Sequence, residues 1–429
     1  MIDLFVRACY DMYKIEVNRL NRVKAMFDKE KTKELLSGLR VLELGTLIAG
    51  PFAGRIFADF GAEVIKVESP KTGDPIRKWR KMHKDTSLWW YVQARNKKSI
   101  TLDLKREVGK RIIQDLVKTT DIIIENFRPG KLEEWGIGYE DLKKINPRLI
   151  MIRISGYGQD GPYSSKPGFG SVGESLGGLR YLTGYPDRPP TRVGISIGDS
   201  ISSLYGVMGA MMAVYNRDVL GTNEGQYVDV ALYEAVFSLM ESMVPEYDYA
   251  NFIRERSGSA LPGIAPSNTY QCKDGKYIVI GGNGDSIFKR LMKAIGREEI
   301  GLSPKFATND LRVQKSDYLD SIIEAWTKTK NLQEAVDILD AHDVPAGPIY
   351  SIADIVKDEH YHAREMIQEV DVDALGKLKM PGIVPKFSNH PGEIKWAGPK
   401  LGEHNEEVYK GILGMTDDEF NILQDLNII

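Results

Sequence analysis

Apolar positions along this chain recur in two rhythms, and the changes of rhythm mark out its elements. In residues 1–37, Val17, Leu20, Val23 and Phe27 fall at helical spacing with Lys and Arg between them, which predicts an amphipathic helical extension. From Leu39 the pattern changes. Arg40-Val41-Leu42-Glu43-Leu44 predicts a buried strand, Gly45 to Gly50 a turn, and Pro51 to Phe60 a helix with Pro at its start. Gly61 stops that helix, and Glu63 to Glu68 is the next strand. Ser99 to Leu104, Asp121 to Glu125 and Leu149 to Ile154 repeat the strand signal, with a helical stretch from Lys110 to Thr119 between the first two. Strands alternating with helices imply a parallel sheet covered on both faces.

Beyond Gly198 the run Leu204 to Ala213 is small and apolar, which suits a tightly packed buried helix, and Gln226 to Leu232 alternates like a strand. A Gly/Pro/Ser stretch, Ser257 to Ser267, precedes a strand pattern at Lys276 to Ile280 and helical patterns from Phe288 to Leu339. The division expected is a helical extension over 1–37, a large Rossmann-like α/β domain over 38–230, a linker helix with a smaller α/β domain over 231–355, and a segment 356–429 returning to the large domain. A chain of 429 residues, 42% of them hydrophobic, has enough apolar material for two such cores.

Composition narrows the partners. Lys and Arg number 57 against 60 Asp and Glu, so the net charge of −3 gives no whole-protein attraction to nucleic acid or anionic lipid. Cys9 and Cys272 lie too far apart in sequence for a metal knuckle or a redox pair, and a reducing cytoplasm is the compartment expected. No segment approaches the ~18 consecutive apolar residues of a membrane span, and the N-terminus lacks a signal-peptide pattern. His83, His342, His360, His362, His390 and His404 form no metal-ligand pattern, so no metal is expected.

Three features carry candidate chemistry. Gly45, Gly50 and Gly54 follow the first strand with G-x4-G-x3-G spacing, which departs from the dinucleotide fingerprint; the turn either cradles a nucleotide-like ligand or serves packing. Basic residues gather after the strands: Lys66, Lys71, Arg77 and Lys78; then Arg95, Lys97, Lys98 and Lys105; then Arg128 and Lys131. They form either a phosphate-binding edge or a solvated charged surface. Arg192 to Ser200 delivers Asp199 onto a glycine turn ahead of a helical pattern, and no G-x-S-x-G elbow competes with it as a nucleophile site. Asp199 there is either a carboxylate nucleophile suited to a thioester or a helix N-cap, which is the commoner use of such an Asp.

Six ordered stretches together resemble the class III CoA-transferase family, which includes formyl-CoA and carnitine CoA-transferases and the related α-methylacyl-CoA racemases. They are Val41 to Leu44 with Ala49-Gly50-Pro51, Gly61 to Glu68, Asn96-Lys97-Lys98-Ser99, Glu125 to Gly130, Ser155 to Tyr163, and Val344 to Pro348. The resemblance runs from about residue 38 to the C-terminus. It implies a Rossmann-like large domain built from both chain ends, a smaller domain between them, and a homodimer whose chains interlock. It implies that the aspartate of Gly198-Asp199-Ser200 attacks an acyl-CoA to form an acyl-aspartyl anhydride, and that CoA thiolate then forms an aspartyl-CoA thioester which an acceptor carboxylate resolves. CoA is then a substrate, with no tightly bound cofactor. Its contacts are implied at Leu47, Ile48 and Ala49, at Leu102 and Lys105, at Asn126 and Phe127, and at Phe169, with Lys71 and Asn96 added from the basic loop and the Asn-Lys-Lys motif. A glycine loop that shields the intermediate is implied near Ser257 to Gly263.

Two departures stand out. Many members carry an acidic residue after the aromatic of Pro167-Gly168-Phe169, where this chain has Gly170; Glu174, one helical turn on, is the substitute expected to join Asp199 in catalysis. Racemases carry His where this chain has Phe169, which cannot move a proton, so racemase is the second reading. A non-catalytic CoA-binding protein is the third. Arg180, Arg188 and Arg192 precede Asp199, and one of them is a candidate to hold the distal carboxylate of a dicarboxylic acid such as succinate or mesaconate.

Overall fold

The computed structural model describes residues 34–373 and 375–429; the predicted N-terminal helix falls almost wholly outside them. The described chain forms two compact units. The first holds the residues up to Arg153 together with Gly206–Val228 and Glu369–Ile429, and the second holds Ile154–Tyr205 and Asp229–Gln368.

Six strands form the main sheet: β1 (Arg40–Glu43), β2 (Glu63–Glu68), β3 (Lys97–Thr101), β4 (Ile122–Glu125), β5 (Ile150–Ser155) and β6 (Tyr227–Ala231), in the order β3-β2-β1-β4-β5-β6. The pairs within β3-β2-β1-β4-β5 are parallel, with Leu42 opposite Ile65 and Ile123. These strands are short and almost continuously buried, as parallel strands covered on both faces must be. Helix α1 (Ala49–Asp59) crosses from β1 to β2. One side of the sheet packs Leu42, Ile65, Ile123 and Met151 with Ile112, Ile113 and Leu116 and with Val408, Tyr409 and Phe420. The C-terminal segment thus completes the core that the N-terminal strands begin.

In the second unit, helix α2 (Gly170–Leu176), the start of α3 (Ile197–Val214) and helix α4 (Leu232–Phe237) lie together. A Cβ on Gly173 would stand 2.7 Å from Leu232 Cβ, and one on Gly177 2.7 Å from the Tyr233 carbonyl oxygen, so these glycines let α4 approach α2. The rest of this unit carries an antiparallel sheet of β7 (Ser267–Gln271), β8 (Tyr277–Gly281) and β9 (Ala346–Pro348) around an apolar core that includes Ile278, Phe288, Leu291 and Leu339.

Three expectations change here. The stretch 154–205 groups with the second unit, not with an unbroken 38–230 body, because glycine-mediated packing of α2 on α4 ties it to residues sixty positions later. Helix α3 is not buried throughout: Leu204, Met208 and Met212 are 54%, 47% and 61% exposed. The helical run Ile197–Val219 is also long and apolar enough to cross a membrane by length and composition, with a mean hydropathy of 1.2.

Candidate active site

The turn after β1 is fastened by side chains from distant segments of the first unit. Asn126 accepts from the Thr46 N–H at 2.8 Å and donates to the Thr46 carbonyl at 2.9 Å, and Asp74 accepts from the Leu47 N–H at 3.0 Å. Leu47 itself sits at φ 65°, a conformation that L residues avoid without such support. Lys66 donates to the Gly45 carbonyl at 2.8 Å and pairs with Glu43 at 3.0 Å and Asp74 at 2.8 Å, while Lys97 pairs with the same Glu43 at 2.6 Å. Burial opposes charge on Lys66, but Asp74, Glu43 and Glu68 outweigh it and hold the ammonium charged. Lys97 has less compensation from Glu43, and burial pulls it down to about 8.

This network corrects the view of the basic loops. Lys66, Lys97, Arg77 and Arg95 are buried and committed to Glu43, Asp74, Glu68 and Asp59, which leaves them neither a phosphate edge nor a solvated surface. Lys71, Lys78 and Lys105 remain exposed. The glycines are explained by packing: a Cβ on Gly54 would stand 1.9 Å from Glu43 Oε2, and Gly45 and Gly50 meet Cα to backbone. Replacing Lys66 with Met takes the paired cation from buried Asp74 and leaves Glu43 with Lys97 alone, and a loss of about 3–5 kcal/mol is expected in urea unfolding. A loss below about 1 kcal/mol would show that the pairs are dispensable.

The CoA-contact candidates divide by what their side chains already do. Ile48 and Ala49 open α1 beside Leu47. Phe127 stacks edge-on against Trp135. Asn96 is 6% exposed, donates to the Glu393 carbonyl at 2.7 Å and accepts from the Lys395 N–H at 2.8 Å, so its amide is spent on structure. Leu102 is 2% exposed and belongs to the core cluster. The side chains of Asn96, Leu102 and Asn126 are thus all engaged within the protein, which leaves their backbone atoms as the candidates for contact with CoA.

In the second unit, Asp199 lies in the first turn of α3, which starts at Ile197. It is thus a helical residue and not the N-cap. Its carboxylate rests against Gly170, the first residue of α2: a Cβ there would stand 2.1 Å from Oδ2 and 2.7 Å from Cγ. The glycine that read as the loss of an acidic companion is the space the aspartate occupies. Glu174 is fully buried in the same helix, and its Oε1 accepts weakly from the Gly198 N–H at 3.5 Å. Arg180 Nε and Arg192 Nε lie 3.7 and 4.0 Å from Glu174 Oε2, and Oε2 makes no hydrogen bond. Arg188 instead sits over the Tyr185 ring. Phe169, just before α2, is 67% exposed. Gly258, in the segment where a shielding loop was expected, has φ 66° and approaches Tyr185.

Burial first and the Glu174 charge second push the Asp199 carboxyl up to about 6, with Arg192 opposing. An Asp199 that must be ionised to react therefore gives a rate that rises with pH through about 6. Removing the Glu174 charge in Glu174→Gln should move that inflection downward; an upward or absent movement in a kcat/KM profile would contradict the placement.

An open cavity of about 410 Å³ runs along the other face of α2, lined by Tyr157, Tyr163, Lys166, Val172, Ser175 and Leu176. Among the described residues no group of three or more His, Cys, Asp and Glu side chains is placed to hold a metal ion.

Residues 36–405 match CoA-transferase family III. The chain is 50% identical over 395 residues to the succinyl-CoA–D-citramalate CoA-transferase of Chloroflexus aurantiacus, covering 92% of this chain and 98% of that protein. It is 33% identical over 392 residues to the succinate–glutarate CoA-transferase of Agrobacterium fabrum, covering 89% and 97%. A crystal structure of a CAIB/BAIF family protein from Brucella suis superimposes with a TM-score of 0.78 at 34% identity, over 88% of this chain and 99% of that one. The chain therefore belongs to CoA-transferase family III and is an enzyme of that class.

Proposed function

We propose that this enzyme moves CoA reversibly between a dicarboxylic acyl-CoA and a free dicarboxylic acid, with Asp199 as the nucleophile. The observation that carries this reading is the half-buried Asp199 carboxylate, seated on Gly170, with the charges of Glu174 and Arg192 acting on it and Arg180 beside Glu174. An Asp199 oxygen attacks the thioester carbonyl, the C–S bond breaks and CoA leaves as thiolate, giving a mixed anhydride. The thiolate attacks the aspartyl carbonyl and displaces the donor acid, leaving an aspartyl-CoA thioester. The acceptor carboxylate attacks that carbonyl and expels the thiolate, which takes the acyl group from the new anhydride and frees Asp199.

Binding of CoA is assigned to the Leu47-Ile48-Ala49 turn, to Lys71, Lys105, Asn126 and Phe127, and to Phe169. The dicarboxylate preference rests on the guanidiniums of Arg180 and Arg192 and on the succinate, citramalate and glutarate in the relatives' names. Incubating the enzyme with succinyl-CoA and a panel of acids tests it. CoA esters of dicarboxylic acceptors are expected, and hydroxylamine should trap Asp199 as a hydroxamate. Equal rates with monocarboxylic acids would remove the preference. Exchange of the α-proton with deuterated water and no acceptor acid would instead indicate a racemase, a reading that Phe169 disfavours.

The reading extends to a cytoplasmic enzyme with Cys272 free and buried, and to a homodimer. Leu204, Met208, Met212, Tyr215 and Val219 form one exposed apolar stripe at helical spacing along α3 and its continuation. Light scattering should give twice the chain mass, and Met212→Glu should shift it toward monomer; a monomeric wild type would end the dimer proposal.

A further inference from the structure

Asp199, Glu174, Arg180 and Arg192 contribute two negative and two positive charges to one neighbourhood of the second unit. Glu174 is the buried member, its side chain 1% exposed, whereas those of Arg180 and Arg192 are 30% and 48% exposed. Neither arginine is locked to Glu174: the closest approaches are 3.7 and 4.0 Å, and neither Arg180 Nε nor Glu174 Oε2 makes a hydrogen bond. The guanidiniums therefore retain donors for another carboxylate, in the bidentate geometry that such groups favour. In the resting enzyme their charge is already balanced by the two protein carboxylates.

We propose that acylation of Asp199 unbalances this cluster, and that the resulting positive charge is what admits the second carboxylate of the acceptor acid to Arg180 and Arg192. The inference rests on Asp199 being the nucleophile. When an Asp199 oxygen bonds to the acyl carbon and the thiolate departs with the C–S electron pair, the aspartyl group becomes one uncharged carbonyl of an anhydride, and a dicarboxylic donor's own distal carboxylate stays on the acyl group until that acid is released. Return of the thiolate to that carbonyl releases the donor carboxylate and leaves a neutral thioester. In both forms residue 199 has no charge, and Glu174 with two arginines sums to +1. The acid-exchange step is thereby confined to the covalent enzyme. Free dicarboxylates bind the resting enzyme poorly and do not compete with acyl-CoA for it.

Calorimetric titration with succinate at pH 8 tests this without turnover, using Asp199→Asn as the neutral stand-in for the acylated residue. Succinate should bind Asp199→Asn about tenfold or more tightly than wild type, the scale of one uncompensated charge at this range. Glu174→Gln, which removes the other negative charge and keeps Asp199, should also bind succinate more tightly. The gain should vanish in Asp199→Asn/Arg192→Met and should be small for butyrate. Equal succinate affinity in wild type and both single variants overturns the inference, as does a gain that survives loss of Arg192. Failure of the nucleophile assignment shows separately, as turnover or hydroxamate formation persisting in Asp199→Asn.

Discussion

Asp199→Asn should abolish turnover by ~10³-fold or more and, at the same time, make the protein more stable. The amide keeps the shape of the side chain but cannot attack a thioester. Its stabilising effect follows from linkage. The Asp199 carboxyl is held at about 6 in the folded protein against 3.8 for the ordinary group, so the folded state holds that proton more tightly than the unfolded chain. Stability contributed by Asp199 is full below the unfolded value, declines as pH rises between those values, and is absent above about 6. At pH 8 the ionised carboxylate thus costs on the order of 2 kcal/mol, which Asn removes. Thermal unfolding of the two proteins at pH 4 and pH 8 should show a much larger difference at the higher pH. An equal difference at both would detach the effect from ionisation, and retained activity would remove Asp199 as nucleophile.

Gly170→Ala should cost ~10²-fold in kcat while leaving the fold and the KM for acyl-CoA close to wild type. The new Cβ would stand 2.1 Å from Asp199 Oδ2, so the carboxylate must turn away from its seat. Gly170 is the first residue of a helix and is not among the glycines of positive φ, so the backbone accepts Ala, which also raises helix propensity. Gly54→Ala is the contrasting case. Its Cβ would stand 1.9 Å from Glu43 Oε2 within the buried ion-pair network, and it should lower stability without a separate effect on catalysis. Activity within about threefold of wild type for Gly170→Ala would mean that Asp199 reacts from another position.

The alternating strands and the helix of the first unit were legible because each is a local pattern, Val41-Leu42 and Glu63 to Glu68 being examples. The grouping of 154–205 with later residues was not, since it depends on Gly173 meeting Leu232 and Gly177 meeting Val236. Basic residues on β2 and β3 left a phosphate-binding edge and a solvated surface both open because sequence shows a charge and not its counter-ion. Lys66 and Lys97 find theirs on Glu43 and Asp74, in other segments. The turn at Asp199 read alone as either a nucleophile or a helix cap, and only the family resemblance at Gly198-Asp199-Ser200 favoured the nucleophile; its contact with Gly170 spans 29 positions that only the folded chain brings together. Glu174 was reached by helical spacing, and the pairing with Arg180 and Arg192 could not be separated from Arg188 by sequence alone.

The turn at Gly45 to Ile48 owes its shape to Lys66, Asp74 and Asn126, which arrive on separate stretches of chain. A peptide spanning only β1, the turn and α1 carries none of these groups, so it has nothing to hold Leu47 in its left-handed conformation. The turn accordingly requires β2 and β4 to be docked on β1 before it can hold this shape. On the proposed assignment of CoA to this turn, ligand-induced protection of the Thr46 and Leu47 amides would serve as a clock for the closing of the sheet.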